Sequence, residues 1–508
     1  MTRRIGSFLC LATISLLVGC AVGPDFQQPK SPAAESYLPE KLPAQFVADG
    51  SEGNPAQRLT PGGDIAGEWW AMFQCRPLDD LIARAIQQNP NLTAAQAALK
   101  QARETVYAQQ ASFFPTIIGT FSPSRNKTPT AALSPASASG NPYYSLHTAQ
   151  LSISYNPDVF GLNRRQTESD VALAEAQRYQ LEAVYLTLTS NLVLAVVNEA
   201  SIRAQIQATE EIVRVERGVL DILRKQQQLG QIAALDVLSQ EAITAQAEAT
   251  LPPLVKQLGQ QRDLLAALSG SLSNEVVPES FTLEALHLPE QLPLSLPSKL
   301  VEQRPDIKQA EANLHASSAL VGVAVANRLP LLNLTAQGGS QANALNGLFK
   351  SGTGFWTLAG SVMQPIFDGG ALLHRERGAR AALEQAAAQY RSTVISAFQN
   401  VADSLQALKA DADTVRLATV ASRTADAALK ITQDQLRLGQ VSYLAQLNAQ
   451  QTALQARLTL VQAVAARLSD TAALIQALGG GWWNRTDVAI EDARGDNVPG
   501  LVGAHSSR

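Results

Sequence analysis

Histidine and cysteine, the residues that most often carry nucleophilic, acid–base or metal chemistry, are scarce in this chain of 508 residues. The five histidines, His147, His287, His315, His374 and His505, are scattered, with no spacing that would bring two of them to one metal. Gly479-Gly480-Gly481 is not followed by the Lys-Ser or Lys-Thr of a phosphate-binding loop. No Gly-x-Ser-x-Gly elbow and no clear pair of carboxylates occurs. Trp69, Trp70 and Phe73 could form a ligand cage, but aromatic packing against a helix is the simpler reading, and Leu251-Pro252-Pro253 reads as a helix break. Cys75 has no nearby histidine to activate it and reads as structural. We expect no enzyme, no catalytic residue, no cofactor and no metal. The chemistry that remains is that of one thiol, Cys20.

Arg3 and Arg4 precede a mostly apolar run from Ile5 to Val18 that ends at Gly19-Cys20. That run is too short to span a bilayer and has the form of a cleaved targeting segment. Leu17-Val18-Gly19-Cys20 resembles the bacterial lipoprotein signal, in which cysteine becomes the acylated first residue of the mature chain. An ordinary secretory signal with a chance cysteine is the alternative. Residues 1–19 would then leave, taking Cys10 with them, and a structural disulfide is not expected. No other uninterrupted apolar stretch approaches eighteen residues. Charged residues make up 17% and the formal net charge is −4, which gives no general attraction to nucleic acid.

The chain carries an internal repeat. Pro90 and Pro305 lie 215 residues apart, and Ala95 and Ala97 match Ala310 and Ala312 at that offset. Leu229-Gly230-Gln231 matches Leu438-Gly439-Gln440 at an offset of 209, as do Leu235 and Gln246 with Leu444 and Gln455. Each copy reads as a helix of roughly 35 residues (Pro77 to Ser112 in the first), two short strands, and a very long helix turning into a return helix. Thr148 to Asn156 alternates Ala149, Leu151, Ile153 and Tyr155 with polar residues, the pattern of a sheet with one apolar face. Leu332, Leu334 and Ala336 alternate likewise, whereas Ser122 to Ser145 and Ser340 to Gly354 read as exposed loops. Leu162 to Leu229 and Ala371 to Leu438 have no proline and almost no glycine, so each can run as a helix of about 100 Å. In the second return helix Leu444, Leu447, Gln451, Leu454, Leu458, Val461, Ala465, Leu468, Ala472 and Ile475 form a heptad seam, echoed in the first copy by Ile212, Val215, Val219, Ile222 and Leu229.

Open sheet edges cannot face lipid, and four strands are too few for a barrel of one chain. If the strands span a membrane, several chains must share one barrel, with the helices extending outside it. A soluble coiled-coil scaffold is the alternative of a different class.

Several motifs are similar to those of the TolC-like outer-membrane efflux lipoproteins. They are Cys20-Ala21-Val22-Gly23-Pro24-Asp25-Phe26, Leu296-Pro297-Ser298-Lys299-Leu300, Arg304-Pro305-Asp306-Ile307 with Ala310-Glu311, Gln364-Pro365-Ile366-Phe367-Asp368-Gly369-Gly370, Tyr390-Arg391, Val401-Ala402-Asp403 and Ala477-Leu478-Gly479-Gly480-Gly481-Trp482. The resemblance runs from Cys20 to about Trp483. It implies a mainly α fold with a membrane β-barrel: four strands per chain, a trimeric twelve-stranded barrel, and a coiled-coil α-barrel crossing the periplasm. The segments would be a signal peptide at 1–19, an anchor and linker at 20–76, a first repeat at 77–270, an equatorial linker at 271–297, a second repeat at 298–483 and a tail at 484–508. The implied partners are two further copies, a periplasmic adaptor with its inner-membrane pump, and outer-membrane lipid. Leu229, Gly230, Gln231, Arg437, Gly439, Gln440 and Ser442 fall at the family's adaptor-contacting tips, although Gly230 and Gly439 also suffice to close a helix. Leu444 and Asn448 fall where the family often places an apolar ring and an aspartate ring that narrow the tunnel, so this chain has asparagine at the second ring. Asp236 could restore some charge. Passive export of small toxic compounds is the first expectation, and polypeptide secretion through the same architecture is the second.

Overall fold

The computed structural model of the protein describes residues 21–34, 36–40, 43, 45–46, 55–127, 143–275 and 279–485. Cys20, the segment 1–19 and residues 486–508, which hold the expected anchor and nearly all of the expected tail, lie outside the described residues.

The first helical stretch is two helices, α1 at Arg76–Gln88 and α2 at Pro90–Gln110, not one of about 35 residues. Pro90 has no N–H to give, and Asn89 before it is extended at φ −68° and ψ 120°. The Asn89 carboxamide caps α2 by accepting from the Asn91 and Leu92 N–H groups, and it donates to the Leu268 carbonyl at 2.8 Å.

The long helices are continuous. Helix α3, Leu162–Gln228, and the later helix Ala371–Arg437 each have 67 residues, as the absence of internal proline requires. Helices α4, Ala234–Ala249, and α5, Leu251–Leu268, form the first return, interrupted at Thr250 before Pro252-Pro253. Then come α6, Pro297–Gln303, α7, Pro305–Ala326, α8, which is the Ala371–Arg437 helix, and α9, Tyr443–Ala477. Helices α3 and α9 each hold an 18-residue window apolar enough for a membrane, although no such run is uninterrupted in the sequence. In α3, 67% of that window is buried within the protein, as befits an interior helix segment.

There are two sheets. Strands β1, Gln45–Phe46, β2, Gln57–Pro61, and β5, Gln291–Leu294, make a small one in the order β1-β2-β5 that the sequence reading missed. Fully buried Arg467 of α9 holds it, donating to Gln57 Oε1 at 3.0 Å and to the Pro55 carbonyl at 3.2 Å. The larger sheet has four antiparallel strands in the order β3-β4-β6-β7: β3 Thr116–Lys127, β4 Tyr143–Tyr155, β6 Leu331–Ala342 and β7 Gly354–Met363. The stretches read as loops are shorter than expected, because residues 122–127 pair with 143–148 and Ser340 to Ala342 continue β6. Serine, asparagine and arginine there have weak strand propensity, but ladder pairing to a neighbour overrides it.

The chain divides into two compact units. One comprises residues through Lys30, Ala95–Gln180 and Asp306–Thr393, and contains the larger sheet. The other comprises Ser31–Ala94, Leu181–Pro305 and the chain from Val394 on. Its interior is built from Leu192, Val193, Val196, Val197 and Ala200 of α3, Val401, Leu405 and Leu408 of α8, and Leu468, Leu474 and Ile475 of α9, all fully buried. Trp69, Trp70 and Phe73 are buried too and pack edge-on, the structural role expected of them. Cys75 is buried and unpaired in front of α1, and burial pushes its thiol up, away from nucleophilic character.

Candidate functional site

The larger sheet is built so that most of its apolar residues share one face. Directly opposed residues on antiparallel strands point to the same side. Ile117, Gly119 and Phe121 of β3 oppose Ile153, Leu151 and Ala149 of β4. Those oppose Ala336, Gly338 and Ser340 of β6, and Tyr155 opposes Leu334. Leu332, Leu334, Ala336 and Gly338 in turn oppose Val362, Gly360, Leu358 and Trp356 of β7. Trp356 and Leu358 are 80% and 76% exposed. The other face carries Thr116, Thr120, Gln150, Ser152, Thr335, Gln337 and Thr357 through its middle, together with Ile118, Phe355 and Ala359 and with Leu331 and Met363 at one end. Outer strands β3 and β7 each present one edge without a partner strand among the described residues.

Each hairpin tip is closed by the same device. At the first, Gly230 N–H donates to the Gln227 carbonyl at 2.8 Å and Gln231 N–H to the Gln226 carbonyl at 2.9 Å. At the second, Gly439 N–H reaches Leu436 at 3.0 Å and Gln440 N–H reaches Gln435 at 2.9 Å. Both glycines have φ +72°, the left-handed turn that ends a helix and that a side chain disfavours. The return helices then start differently. Ser442 caps α9 by accepting from Ala445 N–H, whereas Ala233 offers no such group and Asp236 does the work, accepting from Ala233 N–H at 3.3 Å. Arg437 is paired with Asp434 on its own helix.

Leu444 and Asn448 sit together on an exposed face of α9, with Leu444 65% exposed. The stripe buried within the chain at that level is Gln446, Leu447, Gln450 and Ala453. Toward the tip the chain by itself therefore covers the heptad seam only in part: Leu447 is buried, whereas Leu444 and Gln451 are exposed. In α3 the same holds: Val213, Glu216, Leu220 and Leu223 are buried while Val215, Ile222 and Leu229 of the expected seam are exposed.

The sequence reading missed a polar bridge behind the tips. Tyr443 Oη donates to Gln240 Oε1 at 3.0 Å, and Gln240 Nε2 donates to the Glu216 carboxylate. Glu216 and Gln240 are 2% and 0% exposed. Burial pushes the Glu216 carboxyl above its ordinary value, opposed by the bond from Gln240. Leu220, Leu223 and Val237 pack beside it. The one signal in the sequence was a glutamate among the apolar positions of α3.

The profile of the outer membrane efflux protein family matches this chain twice, over residues 81–271 and 296–480. The chain belongs to the outer membrane efflux protein family. It is 28% identical over 492 residues to the probable efflux pump outer membrane protein TtgC of Pseudomonas putida, covering 96% of this chain and 98% of that one. The cation efflux system protein CusC of Escherichia coli is 29% identical over 479 residues, covering 92% and 96%. Among solved structures, the outer-membrane channel OprN superposes with a TM-score of 0.80 at 25% identity, over 91% of this chain and 100% of that one. The open state of the Neisseria gonorrhoeae MtrE channel gives 0.79 at 26%, over 92% and 100%. This family member is accordingly the outer-membrane channel of an efflux pump, and its relatives are transport channels and not enzymes.

Proposed function

We propose that three copies close their four-stranded sheets into one twelve-stranded barrel, continued by the long helices as a tunnel across the periplasm that docks on an adaptor and inner-membrane pump. The observation that carries this reading is the sheet: one face predominantly apolar across all four strands, the other predominantly polar, and, among the described residues, one edge of each outer strand without a partner. Water cannot satisfy an edge within lipid, so each edge needs another chain's edge. The double match to the family profile supports the two-fold repeat, and exposed Val215 and Ile222 are surfaces for neighbouring helices to cover. The segmentation read from the sequence, from a signal at 1–19 to a tail at 484–508, goes with this reading.

The cargo is small toxic compounds, moved passively while the pump supplies the energy. Relatives bear names such as toluene efflux and cation efflux, chemically unrelated cargoes for one architecture, which supports selectivity lying in the pump. The tip residues Leu229, Gly230, Gln231, Arg437, Gly439, Gln440 and Ser442 meet the adaptor. Cys20 carries the lipid that holds the mature chain at the outer membrane, several acyl chains giving stable attachment where one is marginal. Radiolabelled palmitate is expected to enter the wild type and not Cys20→Ser, and equal labelling of both would rule out the anchor.

Leu444 and Asn448 narrow the tunnel, and Asp236, whose carboxylate accepts from Ala233 N–H at the start of α4, adds some negative charge near it. Three asparagines close by packing and neutral hydrogen bonds, without carboxylates to hold a cation. In planar bilayers Leu444→Ser is expected to raise resting conductance, and Asn448→Asp to increase block by divalent cations. No change in either would refute the gate.

A further inference from the structure

Strands β3 and β7 lie at opposite margins of the larger sheet, each with one edge unpaired among the described residues. Direction alternates across the four strands, so β7 runs antiparallel to β3. The β7 edge of one copy can therefore continue onto the β3 edge of another as an antiparallel ladder. A slip of one residue turns every side chain to the other face. To keep the faces continuous, Ile117, Gly119 and Phe121 must oppose residues of the set Leu358, Gly360 and Val362, not of the set Thr357, Ala359 and Ser361.

Two such registers pair all ten residues of β7. One sets Met363 opposite Thr116, and the other sets it opposite Ile118. Any other leaves backbone groups of β7 bare within lipid. Within one chain Thr116 stands level with Ser154, Thr335 and Ala359. Ala359 meets Thr120 of the next copy in the first register and Ser122 in the second, a stagger of four or six residues per copy. Closing three copies then tilts the strands by about 35° or about 45°, and membrane barrels accept both.

The glycines choose between them. Inside the sheet Gly119 faces Leu151, Gly338 faces Leu151 and Trp356, Gly339 faces Phe355, and Gly360 faces Leu334. Bare backbone is thus covered by a large side chain from the neighbouring strand. The first register would set Gly360 against Gly119 and leave a gap in the apolar face. The second sets Gly360 against Phe121 and Gly119 against Val362, both of them exposed in the single chain. It also brings Arg125 opposite exposed Trp356, a guanidinium beside an indole. Pro123 lies within the ladder in either register and does not discriminate.

We propose that the seam between copies is the second register: β7 of one copy pairs with β3 of the next with Met363 opposite Ile118, Ser361 opposite Thr120 and Gly360 opposite Phe121. The proposal rests on the reading of the sheet as one third of a barrel and adds which residues of two copies meet. The seam also sets the bore, because strands tilted by about 45° enclose a wider barrel than strands tilted by about 35°.

The test oxidises paired cysteines in outer membranes of cells making the full-length protein. Directly opposed residues on antiparallel strands have Cα atoms about 4.5–5.5 Å apart, within disulfide reach, whereas a pair displaced by two lies about 7–8 Å apart. Within one chain two strands separate β3 from β7, so only a link between copies can form. The expected product is a covalent trimer from Ser361→Cys with Thr120→Cys, and none from Ser361→Cys with Ile118→Cys. On the other face, Val362→Cys with Gly119→Cys is expected to link and Val362→Cys with Ile117→Cys is not. A Cβ at Gly119 meets Leu151 at 3.6 Å, an ordinary contact, so that variant is tolerated. Links through Ile118 and Ile117 instead overturn the register and leave the barrel standing. Trimers that give no link from any of the four pairs overturn the seam. Monomers throughout, in wild type and variants alike, mark the barrel reading as the one that failed.

Discussion

Asp470→Asn is expected to stabilise the second unit at pH 8 and to flatten its dependence on pH. Asp411 of α8 faces Asp470 of α9, and two carboxylates can share a hydrogen bond only when one keeps a proton. Burial first, then the hydrogen bond and charge of the neighbouring Asp470, raise the Asp411 value from 3.8 to about 7, against the opposing pull of buried Arg467. The folded value lies above the unfolded one. The stabilisation is therefore complete below about pH 3.8, and it is lost as pH rises through about 7. Between pH 5 and pH 8 the wild type should therefore lose stability through this pair. The measurement is the thermal midpoint of helical circular dichroism at the two pH values, wild type beside Asp470→Asn. A wild type with the same midpoint at both, or a variant with an undiminished pH slope, would show that the pair does not titrate as described.

The second large effect concerns the bridge behind the tips. Gln240→Leu removes the partner of the buried Glu216 carboxyl and of the hydroxyl of half-buried Tyr443. Each group left unpaired costs about 1–3 kcal/mol, so the hairpins should separate locally by several kcal/mol. The double variant Glu216→Leu with Gln240→Leu replaces polar partners by apolar ones and should recover much of that loss. Hydrogen exchange of the α4 amides reads the difference: faster in Gln240→Leu, close to wild type in the double variant. Equal protection in all three proteins would mean that the bridge does not hold the tips together.

How much of the fold was legible in the sequence depended on the range of the interactions involved. The 67-residue helices were legible to within a residue because helix continuity depends on local propensity and on the absence of proline. Asn89-Pro90 was equally local, yet the helix there was read straight through it. The alternation in β4 announced an apolar face, but strand length did not follow, because residues 122–127 become strand only by pairing with 143–148. Strand β5 was invisible for the same reason: it is four residues long, and its partner β2 lies more than 200 positions earlier. The tip glycines were found from their own spacing. Gln240, Glu216 and Tyr443 were not, since no local pattern relates residues brought together from three helices. Leu444 and Asn448 were proposed from a family resemblance, and their common exposed face is what their spacing of four already required.

A sheet that forms the wall of a water-filled pore is the central claim, and one recording tests it. Purified Gln150→Cys and Leu151→Cys proteins are incorporated into planar bilayers, and a charged, membrane-impermeant thiol reagent is added while single-channel current is followed. Both variants should give discrete conductance steps. The reagent should cut the current of Gln150→Cys, whose side chain is on the polar face, and leave Leu151→Cys unchanged. Block of Leu151→Cys alone, or no conductance steps from either protein or from the wild type, would contradict a pore lined by this sheet.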